Sequence, residues 1–395
     1  MAPRRAFVVG AGVGGLSTAL ALSQAGVDVA IHERAQALEE FGAGLQLTPN
    51  ATRVLARLGA LDAVREAAMV PEAVCALRGS DDAVLMRLDL DDAERRWGAP
   101  YLALHRADLQ QALARVAERR DMIRLTLGST ITKVVTGEHE VAIERTQDAA
   151  IVEEAADLLI GADGLRSRVR ESLASGRGDE PAFTGRVAFR ATIPAERVDL
   201  AWRKARVVLR LGPNAHLVHY PLRKASIVNV VAVIEDSWRG GETDHPWDGV
   251  ADRPALDRAF AGWSDSTRRL LAAAKVWRAW PLYGRPALGS FALGRIAVVG
   301  DAAHPMVPFL AQGAAQAIED AGALGTALAE TGDIPQALAA YSRTRIARAT
   351  RVQIEALRQG QVYHMKGAMA LARDATMRLL GSRRLKARYD WLYGA

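Results

Sequence analysis

A chain of 395 residues, half of them hydrophobic and 24% charged, has the length of two or three compact units and the composition of an ordinary globular protein. Its 51 basic and 45 acidic residues leave a formal charge of +6, without the basic stripe and interleaved aromatics that nucleic-acid binding requires. The single cysteine, Cys75, excludes a disulfide framework and a cysteine metal cluster and suits a reducing cytoplasm, and no run of 18 apolar residues offers a membrane span.

The first element is the uncharged run "AFVVG", the pattern of a buried parallel strand. It leads straight into Gly10-Ala11-Gly12-Val13-Gly14-Gly15. The next stretch, "LSTALALSQAG", has helical spacing and stops at Gly26, and "VDVAIHE" reads as a second strand ending at Glu33. Strand, GxGxxG, helix, strand and acid in this order are the fingerprint of a dinucleotide site. Gly10 allows the tight turn, Gly12 lets a pyrophosphate approach the backbone, and Gly15 lets helix and strand pack closely. The helix N-terminus offers free N–H groups to phosphate oxygens, and Glu33, with Arg34 beside it, is placed to bond an adenosine ribose. The motif alone does not separate FAD from NAD.

Farther on, "AVCALRG" and "VLMRLDL", within residues 72–90, predict a hairpin. "DLLIGADGLRSRVR" is a strand that ends in Gly161-Ala162-Asp163-Gly164 before a basic helix start. Residues 183–235 alternate through "GRVAFRATIP", "ARVVLRLG", "AHLVHYPLR" and "ASIVNVVAVIE", which predicts a mainly antiparallel sheet with one covered face. The loop "DSWRGGETDHPWDGVADRP", helical residues near 253–274 and a strand at "VWRAWPLYG" follow. "RIAVVGDAAHPMVPFLAQGAAQAIED" is a third strand ending in a glycine turn, at Gly300-Asp301, and the tail from residue 335 is mostly helical. Three glycine turns at strand ends can meet along one extended cofactor.

Together, GxGxxG, "GADGxxSxVR" and "GDAAHPxxPxxxQG" resemble the single-component flavoprotein aromatic hydroxylases, and "GAGLQLTPNATRVLARLG" and "HRADLQQAL" resemble their salicylate and 3-hydroxybenzoate hydroxylase branch. The resemblance spans nearly the whole chain. It implies an α/β fold: a Rossmann-like FAD-binding domain of the glutathione-reductase type, as in p-hydroxybenzoate hydroxylase, with an inserted antiparallel substrate domain and C-terminal helices. The boundaries expected are 1–71, 100–180 and 282–395 for the FAD domain and 72–99 and 181–281 for the substrate domain. It also implies tightly but non-covalently bound FAD, NADH or NADPH as a transient co-substrate, and O2. Asp301 would bond the ribityl chain, and Pro308, Gly313, Ala314 and Ala315 would border the flavin at a helix N-terminus. Gln46, Arg106, Asp163 and Gly300 would complete the cofactor cradle, with Arg166 and Arg168 near the nicotinamide path.

On the substrate side, alternation along residues 215–223 puts His216, Val218 and Tyr220 on one face and Leu217, His219 and Leu222 near the other. His216 and Tyr220 match a His and Tyr four residues apart that face the aromatic ring in relatives, where a histidine would accept the phenol proton. Arg190 would approach the flavin or a substrate carboxylate, and Gln46 the substrate or the ring. Where relatives carry Gln or His near the reacting carbon, this chain has Pro308, Phe309 and Leu310, which implies a drier pocket. No histidine spacing suggests a metal. The implied activity is hydroxylation of a small hydroxylated, carboxylated aromatic through a flavin C4a-hydroperoxide, by a monomer or homodimer. An epoxidase or hydroxylase of a larger or non-aromatic substrate and a non-catalytic redox-sensing flavoprotein stay open as alternatives; a halogenase would carry WxWxIP, which "VWRAWPL" is not.

Overall fold

The computed structural model describes residues 4–38, 44–148, 150–173, 179–238 and 252–394. The chain opens with β1 (Arg4–Val9), α1 (Val13–Gln24), β2 (Val27–His32), β3 (Gly44–Leu47), α2 (Pro49–Arg57) and α3 (Leu61–Ala67). A hairpin, β4 (Ala73–Arg78) and β5 (Val84–Asp89), and the short α4 (Ala93–Trp97) precede β6 (Leu102–His105), α5 (Arg106–Glu118) and β7 (Ile123–Thr126). Then come β8 (Thr130–Thr136), β9 (Val141–Gln147), β10 (Ala150–Ala156) and β11 (Leu158–Gly161). The middle of the chain supplies β12 (Ala182–Pro194), β13 (Arg206–Gly212), β14 (Ala215–Leu222), β15 (Ile227–Glu235), α6 (Arg253–Ala259), α7 (Asp265–Ala273) and β16 (Arg278–Gly284). β17 (Ala292–Leu293), β18 (Ile296–Val298), α8 (Gly313–Glu330), α9 (Ile334–Tyr363), α10 (Gly367–Leu379) and α11 (Ser382–Tyr393) close it.

The main sheet has the order β17-β18-β11-β1-β2-β7, parallel except at β17. β1, β11 and β18 are neighbours, and Val9 pairs with Gly161, which pairs with Val298. The three glycine turns predicted from sequence therefore leave the same edge side by side. Residues such as Phe7, Val8, Leu159, Ile160 and Ala297 are fully shielded, because helices cover both faces of a parallel sheet. α1 and α8 lie together here: a Cβ on Gly14 would stand 3.4 Å from Ala317 Cβ, and one on Gly300 3.0 Å from the same atom. A three-stranded antiparallel sheet, β10-β9-β8, hangs beside this layer. The sequence reading missed it, although the alternation in "TITKVVT" and "AIVEEAA" was there to be read.

The second large sheet runs β16-β12-β15-β14-β13-β4-β5 and is antiparallel apart from the β13–β4 pair. Here the expectation of one covered face is corrected: both are covered. Phe189, Leu217, Val230 and Ala232 face a core with α6 and α7 that includes Leu256, Trp263 and Leu270. Ala188, Tyr220, Leu222, Val233 and Trp280 face a core with Val307, Phe309 and Tyr363. Leu222 thus shares a face with Tyr220 rather than with Leu217, as a period of two requires. Most of the 236–254 loop, with His245, lies outside the described residues.

Four buried histidines make the fold acid-sensitive. Burial first, then Arg145, draws His32 from 6.5 to about 4, and burial holds His216, His219 and His364 below their ordinary value. Below 6.5 the unfolded chain takes up protons that the folded chain refuses, so stability rises with pH between about 4 and 6.5 and is lost as pH falls through that window. Thermal unfolding at pH 7.5 and pH 5 checks this: the transition should fall clearly at pH 5, and equal transitions would refute it.

Candidate active site

The first glycine loop is built around backbone. Gly10 has φ +102°, and a Cβ there would lie 2.6 Å from Ala162 O in the second glycine turn. A Cβ on Gly15 would lie 1.8 Å from Gly10 O, whereas one on Gly12 meets nothing within 4 Å. The first and third glycines close the turn, and the second faces open space. Glu33 accepts the Ala11 N–H at 2.7 Å and the Ala35 N–H at 2.9 Å, and a carboxylate keeps lone pairs beyond these for a hydroxyl. Arg34 beside it is exposed.

The second turn is braced by Asp163. Its Oδ2 accepts the Arg168 N–H at 2.8 Å and the Val169 N–H at 3.3 Å, while its Oδ1 is buried without a partner among the described residues. Burial raises this carboxyl from its ordinary value. Arg168 is held back by a bond to Ile131 O, and Arg166 is exposed.

The third turn holds Asp301. It opens to solvent space, yet protein crowds it closely enough that burial raises its carboxyl, with Arg106 and His304 opposing. The turn rests on a strut that sequence reasoning missed. Asp320, fully buried on α8, accepts the Gly300 N–H at 2.8 Å, His304 Nε2 at 2.6 Å and Arg345 Nε at 2.7 Å. Burial alone would raise the Asp320 carboxyl; the His304 and Arg345 contacts hold it below its usual range. Arg345 and Arg348 also bond Glu319, which reaches Asn50. His304 is therefore a buried support of the turn. After a 3-10 turn at Pro308–Leu310, Ala311 takes φ +53° and α8 begins. Gln312 provides no side-chain cap, the first turn has no acid, and a Cβ on Gly313 would meet nothing within 4 Å. Ala314 is half-buried, whereas the Ala315 methyl lies in the main core, so only its backbone can border a ligand.

The second sheet approaches the glycine turns through a run of polar groups. Arg106, at the start of α5, couples electrostatically to Asp301 and to Arg190. The Arg190 guanidinium stacks 4.0 Å from the Trp280 ring centre, and burial, with Arg106 adding to it and Tyr220 opposing, pulls its pKa down to about 9. Its Nε is buried without a partner, and among the described residues no carboxylate pairs with it. Tyr220 bonds Gln46, and so does Tyr101 OH, at 2.5 Å. Burial pushes the Tyr220 phenol up from its usual value. Asn229 Oδ1 accepts the Gly44 N–H at 2.8 Å, which pins β3 to the sheet. His216 shares the face of Tyr220, with its ring 5.4 Å from that of Phe309, and its Nδ1 lies 2.7 Å from His364 Nε2. His219 lies on the opposite face, against Trp202 and Arg210. Pro308 is half-buried, and Phe309 is buried under the Arg186 guanidinium, 5.3 Å above its ring.

Of the residues expected from sequence, the structure brings Gly10, Gly12, Gly300, Asp301 and Gly313 to one edge, Arg190 and Tyr220 to the second sheet, and Gln46 beside Tyr220 on β3, which pairs with β6. Trp280, Tyr101, Asp320, Arg345 and His364 were missed. Among the described residues no group of three His, Cys, Asp or Glu side chains is arranged to hold a metal, and no helix is long and apolar enough to cross a membrane.

Residues 5–356 match the family model described as an FAD binding domain. The chain belongs to the FAD-binding domain family. Among its relatives is a 3-amino-4-hydroxybenzoate 2-monooxygenase of Streptomyces platensis, 34% identical over 99% of this chain and 96% of that one. A 3-hydroxybenzoate 6-hydroxylase of Polaromonas naphthalenivorans is 33% identical over 98% and 95%. In three dimensions Klebsiella pneumoniae HpxO, complexed with FAD and uric acid, matches with a TM-score of 0.86 at 24% identity, covering 99% of this chain and 96% of that one. A salicylate hydroxylase substrate complex matches with a TM-score of 0.83 at 24% identity, covering 100% and 96%. The α/β fold with its appended sheet and C-terminal helices is thus that of FAD-dependent hydroxylases. The family's cofactor also fits the residues present. The open space at Gly12 and Gly313, two uncapped helix starts side by side, and the unpartnered Asp163 Oδ1 are features an extended anionic dinucleotide would fill.

Proposed function

We propose that this FAD-dependent aromatic monooxygenase hydroxylates a small phenol that carries a carboxylate. Bound FAD would supply the oxygen chemistry, using O2 and electrons from NADH or NADPH. The chain's own residues do the rest. Gly10, Gly12, Gly14, Gly15, Glu33, Asp163, Gly300, Asp301 and the first turn of α8 would hold the cofactor. The two cores on either side of the substrate sheet would keep water out.

Arg190 carries the substrate reading. A half-buried arginine whose Nε is shielded and unpartnered, set against Trp280 with no carboxylate beside it among the described residues, is poorly compensated and calls for an anion. A substrate carboxylate supplies one in planar, paired geometry. With the acid group there, Tyr220 and Gln46 would bond along the ring, and His216 would take the phenol proton. The names of the relatives, an aminohydroxybenzoate and a hydroxybenzoate monooxygenase, agree with this chemistry.

The test has two parts. Flavin reduction by NADH and by NADPH is followed in stopped flow with a panel of hydroxybenzoates, aminohydroxybenzoates, hydroxynicotinates and the matching phenols that lack the carboxylate. One carboxylated phenol should speed reduction strongly, and its decarboxylated partner should bind ~10–100-fold more weakly, the range of one lost charge-assisted bond. Arg190→Gln should erase that preference. If the decarboxylated phenol binds as well as the acid, the reading fails.

A further inference from the structure

His216 is not an isolated base. Its Nδ1 lies 2.7 Å from His364 Nε2, and His364 Nδ1 lies 3.1 Å from Glu235 Oε1. His216 and His364 are buried, whereas the Glu235 side chain is 39% exposed. Three titratable groups from β14, the end of α9 and the end of β15 therefore form a file from the face that carries Tyr220 and Phe309 to solvent.

The direction of the hydrogen bonds follows from chemistry. A carboxylate only accepts, so His364 Nδ1 must carry the proton it gives to Glu235. Neutral His364 then has a bare Nε2, which can only accept from His216 Nδ1–H. Neutral His216 is left with a bare Nε2, and among the described residues no protein group bonds that atom. Other charges around the file are Arg186 of β12, whose NH2 is 3.3 Å from Glu235 Oε1, and Arg373 of α10, which is paired with Asp374 and bonds Val362 O and Tyr363 O. Tyr363 packs its ring 5.2 Å from His216. Both arginines disfavour a standing imidazolium, so the file passes a proton on rather than storing one.

We propose that His364 and Glu235 are positioning residues that fix His216 as the tautomer with a bare Nε2 and conduct the substrate's phenol proton to solvent. The proposal rests on the reading of a phenol bound against His216. The balance is simple. The phenol O–H bond breaks and its proton goes to His216 Nε2, as the His216 Nδ1 proton passes to His364 Nε2. The His364 Nδ1 proton passes to Glu235, which releases it to water. The bound phenol becomes a phenolate and no redox step is involved. The same path run backward returns a proton to the ring oxygen before product leaves.

The test uses FAD-loaded protein and 3-hydroxy-4-nitrobenzoate, whose phenolate is coloured. Binding is followed by the flavin spectrum, ionisation by the phenolate band, and proton release by a pH indicator in weak buffer. His364→Gln and Glu235→Gln should slow ionisation and proton release roughly tenfold or more, less than the ~10²–10⁴-fold of a group that takes the proton directly, because both act through His216. They should also enlarge the solvent isotope effect and leave the dissociation constant nearly unchanged. Equal rates in wild type and both variants would overturn the file. Glu235→Gln, at the solvent end, keeps the question open to test if His364→Gln does not hold FAD. Nitrogen-15 NMR of histidine-labelled protein gives a readout without ligand: wild-type His216 should be protonated at Nδ1 and bare at Nε2. The opposite tautomer refutes the file even if the phenol binds. A failure of the phenol to perturb the flavin spectrum, with the expected tautomer present, refutes the substrate reading instead.

Discussion

Gly15→Ala should yield protein that does not retain FAD. The added Cβ would stand 1.8 Å from Gly10 O and 3.0 Å from Gly10 C, and both are backbone atoms of the loop expected to hold the pyrophosphate. No side chain can swing away to relieve that overlap. Either α1 moves off β1 or the loop opens, and Gly10, already at φ +102° against Ala162, has no room to give. Gly12→Ala is the control, because its Cβ meets no protein atom within 4 Å and would collide only with a bound cofactor. Flavin-to-protein absorbance ratios after gel filtration, with circular dichroism to monitor folding, separate the two. Gly15→Ala should lose flavin and stability together, whereas Gly12→Ala should lose flavin alone. Stoichiometric flavin in Gly15→Ala would refute the close-packing argument.

Asp320→Ala should cost ~3–5 kcal/mol of folding stability, the range for removing one partner of a buried ion pair. It would strip Arg345 of one of its two carboxylates, leave His304 Nε2 without its acceptor, and free the Gly300 N–H that shapes the turn before Asp301. FAD affinity should fall with it, since Asp301 depends on that turn. Denaturant unfolding of the variant and the wild type measures the cost, and a loss below about 1 kcal/mol, the size of a surface pair, would show that the strut is dispensable. Asp301→Asn, which leaves the strut intact, should weaken FAD binding with little loss of stability.

The parts of this site that were legible in the sequence are those where chemistry sits in consecutive residues. A glycine loop between a strand and a helix has one geometry, so Gly10, Gly12 and Gly15 could be given separate roles before any coordinates. The three strand-glycine turns were readable singly, and the rules of parallel sheets allowed them to meet along one cofactor; that β1, β11 and β18 are neighbours came from the structure. What stayed hidden depends on pairs far apart in the chain. Nothing near Asp320 announces Arg345 or His304, and His364 closes a helix that reads as a plain C-terminal helix. Arg190 gains its meaning from lying over Trp280, which requires the β12–β16 register. The covered second face of the second large sheet was missed for the same reason: the strands alternate well enough to suggest one wet face, but Phe309 and Tyr363 arrive from elsewhere to dry it.

The order of strands in the main sheet also governs how this protein is made. β1 is finished in the first residues of synthesis, yet its neighbour β11 emerges only at Leu158, and β11 in turn waits for β18 at Ile296. No N-terminal fragment can close the sheet, so folding is set by contacts of long sequence separation and runs slowly. On the ribosome, β1 can pair early with β2, but its other edge stays open until β11 is translated. The main sheet is therefore finished late in synthesis, after β18 at Ile296, and the open edge of β1 is exposed to wrong pairing until β11 arrives.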